Sequence, residues 1–437
     1  MRIVSLFITY YGCSLYGFFN PLFGVLFFIH ITIFRPEWLV WDNIAFGRLH
    51  LVAAVVALLG YLFHPEFQKS SIKRNVRDRN IALFFFFLLW LFIVSFLAED
   101  STEKSLTKTL DLVKVFGLCF LFCRMTNTAE RINAYTWVVS ISFGLLGLWG
   151  VGQGIAGNIR LDNLYFGGSN YVAALLALAT PLAFCKIFDR KLSMMSKCLF
   201  GACVVAMVLC NVYSESRGGF LGLIIGLLYS LMKLRAGGRI LVALALCGMF
   251  ALPFVPESYT ERIQTIFKSE EQRDQSAQSR LVLWQIAFRI WADHPIAGVG
   301  LRNFSAVKED YAYRVDDLVH DPPMAELIFG QERLPHGLYP GMLAEAGLVG
   351  LGLFVAMLLY SILCPFPIAR DEMGIDRGLY VQFVGAQAGL VGYAVASVFG
   401  DFQYMELLYV QIFFVAAISD YAASVGEVQQ RGHTEVR

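Results

Sequence analysis

The sequence predicts an all-α, polytopic integral membrane protein. Hydrophobic residues fill 57% of its 437 positions and charged residues only 16%, against about 25% charged in an average soluble domain; mean hydropathy is +0.59. Apolar runs recur along most of the chain, separated by short polar connections. A single long polar stretch, 256–340, interrupts this pattern, and both of its shoulders carry unusual residues.

The spans follow in order. Segments 3–16 and 21–34 are short and read as a pair, or as one helix broken at Asn20-Pro21. Apolar stretches come next at 49–63, 81–97, 110–123, 134–155 and 171–187, then at 199–213, 220–232 and 240–255. After the polar stretch come 339–363, 380–399 and 405–421. The expected count is about twelve to thirteen transmembrane helices. This divides the chain into a helix bundle over 1–255, a large loop over 256–340, closing helices over 341–421 and a tail over 422–437.

Lys and Arg concentrate in alternate loops. One set holds Lys69, Lys73, Arg74, Arg77 and Arg79, then Arg124 and Arg131, then Lys186, Arg190, Lys191 and Lys197. The same set continues with Lys233, Arg235 and Arg239, and with Arg370 and Arg377. The other set holds little beyond Lys104, Lys108, Arg160 and Arg217. The richer set is therefore expected to be cytoplasmic together with the C-terminus, which turns the long loop outward.

No cleavable signal peptide is expected, because the chain opens on an apolar span with only Arg2 before it. Most cysteines, such as Cys119, Cys123, Cys203, Cys210 and Cys247, sit inside apolar spans and read as buried thiols. No basic stripe interleaved with aromatics suggests a nucleic-acid partner. The missing pair of inverted halves with matching broken helices argues against a transporter.

Within the loop, Glu257 to Ile263 carry helix-start signals after Pro256, and 268–279 reads as a flexible polar run. Ser279 reads as the N-cap of a helix to Asp293, with Leu281, Trp284, Phe288 and Trp291 on one face. That face either lies in the headgroup layer or packs within a small outer domain. His294-Pro295, Gly298 and Gly300 then turn the chain.

Three basic residues stand at the shoulders. Arg217 lies at the outer end of a span in Ser214-Glu215-Ser216-Arg217-Gly218-Gly219. A cation at that depth needs a partner or water. Ser214 or Ser216 is placed to cap the next helix, and two glycines let an anion approach its N–H groups. Arg217 therefore either binds phosphate or snorkels to the headgroups. Arg280 falls in the first turn of its expected helix, where a cation is unfavourable unless an anion binds beside it; the alternative is an ion pair with Glu270, Glu271 or Asp274. His336, between Pro335 and Gly337, is either a proton acceptor or a solvated loop residue. Asp316-Asp317 and the other loop carboxylates read as solvated acids, so neither a metal nor a cofactor is expected.

Taken in order, these segments resemble the bacterial O-antigen ligase and O-antigen polymerase superfamily. The matching pieces are Ser216-Arg217-Gly218-Gly219, the stretch from Pro256 to Arg262, and Ser279 to Trp284. Asp293 to Phe304, and His336 followed by Leu343-Ala344-Glu345-Ala346-Gly347-Leu348-Val349-Gly350, complete the set. They cover about the second half of the chain. The entrance Pro256-Glu257-Ser258 and the short first spans look like the O-glycosylation ligase branch associated with exosortase systems. At the position after His336, where many relatives carry Asn or Ser, this chain has Gly337.

The resemblance implies a GT-C-like helical glycosyltransferase of the bacterial inner membrane with its site facing the periplasm. Its donor would be a glycan on undecaprenyl pyrophosphate. Its acceptor would be lipid A–core, another glycan or a protein, or the next repeat unit if the chain is a polymerase. Carried onto matching positions, Arg217 and Arg280 bind pyrophosphate and His336 is the catalytic base, with Ser216, Gly218, Gly219 and Arg302 in support. Such a transfer needs no metal and inverts the anomeric centre. A lipid-linked oligosaccharide transporter is the remaining alternative; Asp111 and Lys114, near one span, are the charges that bear on it.

Overall fold

The computed structural model describes residues 2–34, 49–68, 76–157, 168–235, 275–312, 315, 328–329, 334–367 and 377–435, and the described residues contain helices but no strand. The expected span at 240–255, the entrance from Pro256 to Arg262, and Asp316, Asp317 and His320 lie outside them.

In chain order the helices are α1 (Arg2–Tyr16), α2 (Pro21–Ile33), α3 (Leu49–Phe63), the single turn α4 (Pro65–Gln68) and α5 (Val76–Phe96). Next come α6 (Thr102–Met125), α7 (Ala129–Ile155), α8 (Ser169–Lys186), α9 (Met194–Tyr213) and α10 (Arg217–Leu234). In the second half follow α11 (Gln275–Asp293), α12 (Phe304–Ala312), α13 (Leu338–Leu363), α14 (Arg377–Ala396) and α15 (Glu406–Glu435). Eight of the described helices are long and apolar enough to cross a membrane: α5, α7–α10 and α13–α15. The larger expected count also takes in the short α1, α2 and α3, the charge-bearing α6 and the undescribed 240–255. At 13 and 15 residues, α2 and α3 reach only about 20 Å, less than the ~30 Å hydrocarbon core.

Local signals fix the helix starts. Asn20 caps α2 by accepting from Phe23 N–H, with Pro21 at the first helical position, so the expected break is a full turn between two helices. Ser101, Thr128 and Ser193 cap α6, α7 and α9 in the same manner.

The centre is built from α8, α14 and α15, the most buried spans. Small residues bring α10 and α8 against α14: Gly222 faces the Gly392 carbonyl, Gly226 the Ala388 carbonyl, and Gly385 the backbone of Leu182. Several buried polar groups are paired across helices. Tyr135 donates to Gln411, Thr136 to Gln382, and Asn211 to the Ala173 carbonyl. At one end Arg77 is fully buried and donates to the carbonyls of Cys123, Thr126 and Ala417 beside Asp420. Arg77 thereby ties α5, α6 and α15 together.

At the other end α13 is broken. Gly347 has φ +67° and ψ −171°, a conformation open essentially to glycine alone. The break frees backbone groups, and the segment after α11 takes them up. Val299 N–H donates to Ala344 O, Gly300 N–H to Glu345 O, and Leu348 N–H to Pro295 O. Trp90 Nε1 donates to Ala346 O.

The helix read from Ser279 onward begins a turn earlier, at Gln275. Ser279 is a buried helical residue rather than a cap, and Arg280 is not in the first turn. The face of Leu281, Trp284, Phe288 and Trp291 is not the side that forms the core of this helix's packing. Val282, Leu283, Ile286, Ala287 and Ile290 are the buried ones, packed with Phe304, Val307 and Ala344, while Leu281 and Phe288 are exposed. Packing against α12 and α13 covers this aliphatic side.

Gly347→Ala is expected to destabilise the protein by about 2 kcal/mol or more, since a Cβ there also meets the Ile296 carbonyl. Gly352→Ala, in open space on the same helix, is expected to be neutral or slightly stabilising. Thermal unfolding in detergent compares them.

Candidate active site at one end of the bundle

The site is built on the connection between α14 and α15. Asp401 is almost fully buried there. Its Oδ2 accepts the backbone N–H of His336 at 2.9 Å, and the Gly337 N–H also donates to the carboxylate. The same oxygen lies 3.9 Å from His336 Nδ1, and the His336 side chain is 42% exposed. One buried carboxylate thus anchors the start of α13 and holds an accessible imidazole. Burial pushes the Asp401 carboxyl up to about 6; the two N–H groups, then Arg302 and Arg280, act in the opposite direction. Its second oxygen, Oδ1, is buried without a partner among the described residues.

His336 has φ +50°, uncommon for a non-glycine residue. Glu215 and Arg302, at +52° and +61°, share this conformation, and both belong to segments at the same end. Gly337 leaves room for Trp284 of α11, whose Nε1 would lie 2.8 Å from a Cβ at 337. Thus α11 is seated directly on the His336 turn, and Arg280, one turn earlier on α11, influences Asp401.

Arg302 ends a turn whose Gly298, Gly300 and Arg302 all have positive φ. Asn303 clamps that turn by accepting from Asp100 N–H and Ser101 N–H and donating to Leu301 O. The Arg302 guanidinium lies 5.4 Å from the centre of the Tyr404 ring, and Lys108 Nζ lies 4.7 Å from the same ring. Tyr404 donates to Glu345 Oε2 at 3.1 Å, and the Arg302 backbone N–H also reaches that carboxylate. Burial, then the charge of Glu345, pushes the Tyr404 hydroxyl well up, so it remains a donor.

Arg217 opens α10, where Ser216 accepts from Gly219 N–H and donates to Asn170. The next residue, Tyr171, donates to the Asp401 carbonyl, and Gly218 packs on Phe399. Arg217 is therefore at the same end of the bundle as His336. The space left by the two glycines is filled by Phe399 and Ala173 on the side a Cβ would occupy, so helix packing accounts for it.

The structure brings Arg280, Arg302 and His336 to Asp401, with Arg217 on the adjoining flank. Sequence reading passed over Asp401 and Tyr404 and gave Glu345 no role beyond its place in a matching motif. The signal for Asp401 was an acid between two closing spans, where a charge is costly. His294 is tied down, its Nε2 lying 2.9 Å from Glu99 and 3.1 Å from Tyr311.

A multi-pass helical membrane protein with a histidine, a buried acid and several guanidiniums at one end is the class this fold and site define. Residues 202–355 match the O-antigen ligase family, and residues 1–158 match a family of unknown function. No curated protein matches the chain. The stretch that matches the O-antigen ligase family includes Arg217, Arg280, Arg302, His336 and Glu345 and ends before Asp401.

Because its pKa in the fold exceeds the ordinary value of 3.8, Asp401 favours folding most below about pH 4. That contribution is lost as pH rises through about 6. Holding it ionised costs on the order of 3 kcal/mol. Asp401→Asn is therefore expected to unfold at a higher temperature than the wild type at pH 7.5, with the gap closing towards pH 4.

Proposed function

We propose that the protein is a glycosyltransferase of the O-antigen ligase type. In this reading it transfers a glycan from undecaprenyl pyrophosphate to an acceptor hydroxyl, at the periplasmic face of the bacterial inner membrane. The observation that carries the reading is the convergence of His336, Arg280 and Arg302 on Asp401. The described cations of the richer loop set belong to the opposite end, where Arg77 contacts α6 and α15 and the Lys233 carbonyl accepts from Tyr380. By the charge rule this distribution supports a site that faces outward.

The acceptor oxygen attacks the anomeric carbon, its proton passes to His336, and the carbon–oxygen bond to the lipid pyrophosphate breaks. His336 accepts the proton as a neutral ring, held by the carboxylate that fixes its backbone. The leaving pyrophosphate gathers negative charge, which Arg217, Arg280 and Arg302 offset; a guanidinium suits this task through its paired donors. A displacement of this kind inverts the anomeric centre. Ligase and repeat-unit polymerase share this chemistry and differ in the acceptor.

His336→Ala is expected to lower transfer from a purified lipid-linked glycan by about 10²–10⁴-fold while the protein remains folded. Undiminished transfer would remove the proposed role. In the wild type the rate is expected to fall as pH drops through about 6, where Asp401 takes up a proton. Asp401→Asn is expected to remove the Asp401 contribution and so change the acid limb; an unchanged limb would assign it to the general base alone.

A further inference from the structure

Two acids are buried at this end of the bundle, and they make the same kind of contact. Asp401 accepts the main-chain N–H of His336, whose φ is +50°. Glu345, only 2% exposed on α13, accepts the main-chain N–H of Arg302, whose φ is +61°. The left-handed region is unfavourable for a residue with a side chain. In both cases a buried carboxylate holds the strained residue by its own amide. At His336 the result is an accessible imidazole kept at a fixed place.

Glu345 does more than close the turn. Main-chain hydrogen bonds from Val299, Gly300 and Leu348 already join the turn to α13, and Asn303 clamps it from the other side. Those bonds leave residue 302 itself untied. The Glu345 carboxylate ties it, and its Oε2 also accepts the Tyr404 hydroxyl at 3.1 Å. The Arg302 guanidinium lies 5.4 Å from the centre of that same ring, within reach of a cation–π contact. One carboxylate therefore fixes both the backbone that carries the guanidinium and the ring beside it. It takes the amide rather than the guanidinium, so holding Arg302 does not use up the guanidinium donors. The charge so placed also acts on Asp401.

We propose that Glu345 is a positioning residue for glycan transfer: it sets where the Arg302 guanidinium meets the leaving pyrophosphate. The proposal rests on the glycan-transfer reading for what Arg302 does, and on the contacts of Glu345 alone for the holding. The groups Glu345 receives are an amide N–H and a phenol O–H, so the requirement is an acceptor oxygen at a fixed reach. Gln supplies that oxygen at the same reach. Asp keeps the acid but draws it back by one methylene. Met fills the volume with only a weak acceptor.

Two measurements on the full chain in nanodiscs test this, and the first needs no donor. Amide hydrogen exchange at Arg302 is expected to be about tenfold faster in Glu345→Met and Glu345→Asp than in the wild type. Glu345→Gln should exchange at the wild-type rate. Unchanged exchange in Met and Asp would overturn the proposal, whether or not glycan is transferred. Second, transfer from a lipid-linked glycan is measured for the same variants and for Arg302→Ala. Glu345→Met is expected to lower kcat/KM about tenfold, divided between kcat and KM as in Arg302→Ala. Glu345→Gln should stay within about threefold of the wild type. Added to Arg302→Ala, Glu345→Met is expected to cost nothing further. Should Met fail to fold, Asp carries both measurements. Losses that add, or a Gln variant as impaired as Met, would overturn the positioning role.

Discussion

The break in α13 at Gly347 is the constraint on which the site depends. A helix interrupted inside a membrane protein exposes carbonyl and N–H groups that hydrocarbon cannot satisfy. Here the interruption is filled by protein: Val299 and Gly300 donate to the carbonyls of Ala344 and Glu345, and Pro295 accepts from Leu348. The pairing draws the turn after α11 onto α13. It carries Arg302 to Tyr404 and seats Trp284 beside Gly337. Val299 O in turn accepts from Glu99 N–H, and Asn303 accepts from Asp100 and Ser101, so the α5–α6 connection joins the assembly.

Burying Asp401 and Glu345 is unfavourable for folding. Each is held by neighbours that also belong to the site: the amides of His336 and Gly337 for Asp401, Tyr404 and the Arg302 amide for Glu345. Three of the four described non-glycine residues with positive φ, Glu215, Arg302 and His336, lie in the segments that assemble there. Strained backbone and buried acids thus gather at one end. The other end uses its buried pair, Arg77 and Asp420, to join helices.

Much of the architecture was legible in the chain because apolar length and cap residues act locally. Asn20-Pro21 marks a break between the first two helices that the structure keeps. Arg217 stood out as a cation beside two glycines at a helix start, Arg280 as a cation near an expected helix N-terminus, and His336 as a titratable ring just before a span. The errors fell where neighbours decide. Ser279 looked like a cap, yet α11 starts at Gln275. Its buried side is the Val282, Leu283 and Ile286 side, because α12 and Ala344 cover it.

The sequence by itself determined the class of protein, the order of its helices and the ordered motifs of the ligase superfamily, since hydropathy, capping and spacing are properties of short segments. Only the tertiary structure decided that Asp401, 65 residues beyond His336, holds that histidine in place. It likewise joined Lys108, Arg302 and Glu345 around Tyr404. Those contacts link segments distant in the chain, and they exist because a broken helix must find its hydrogen-bond partners in the surrounding protein.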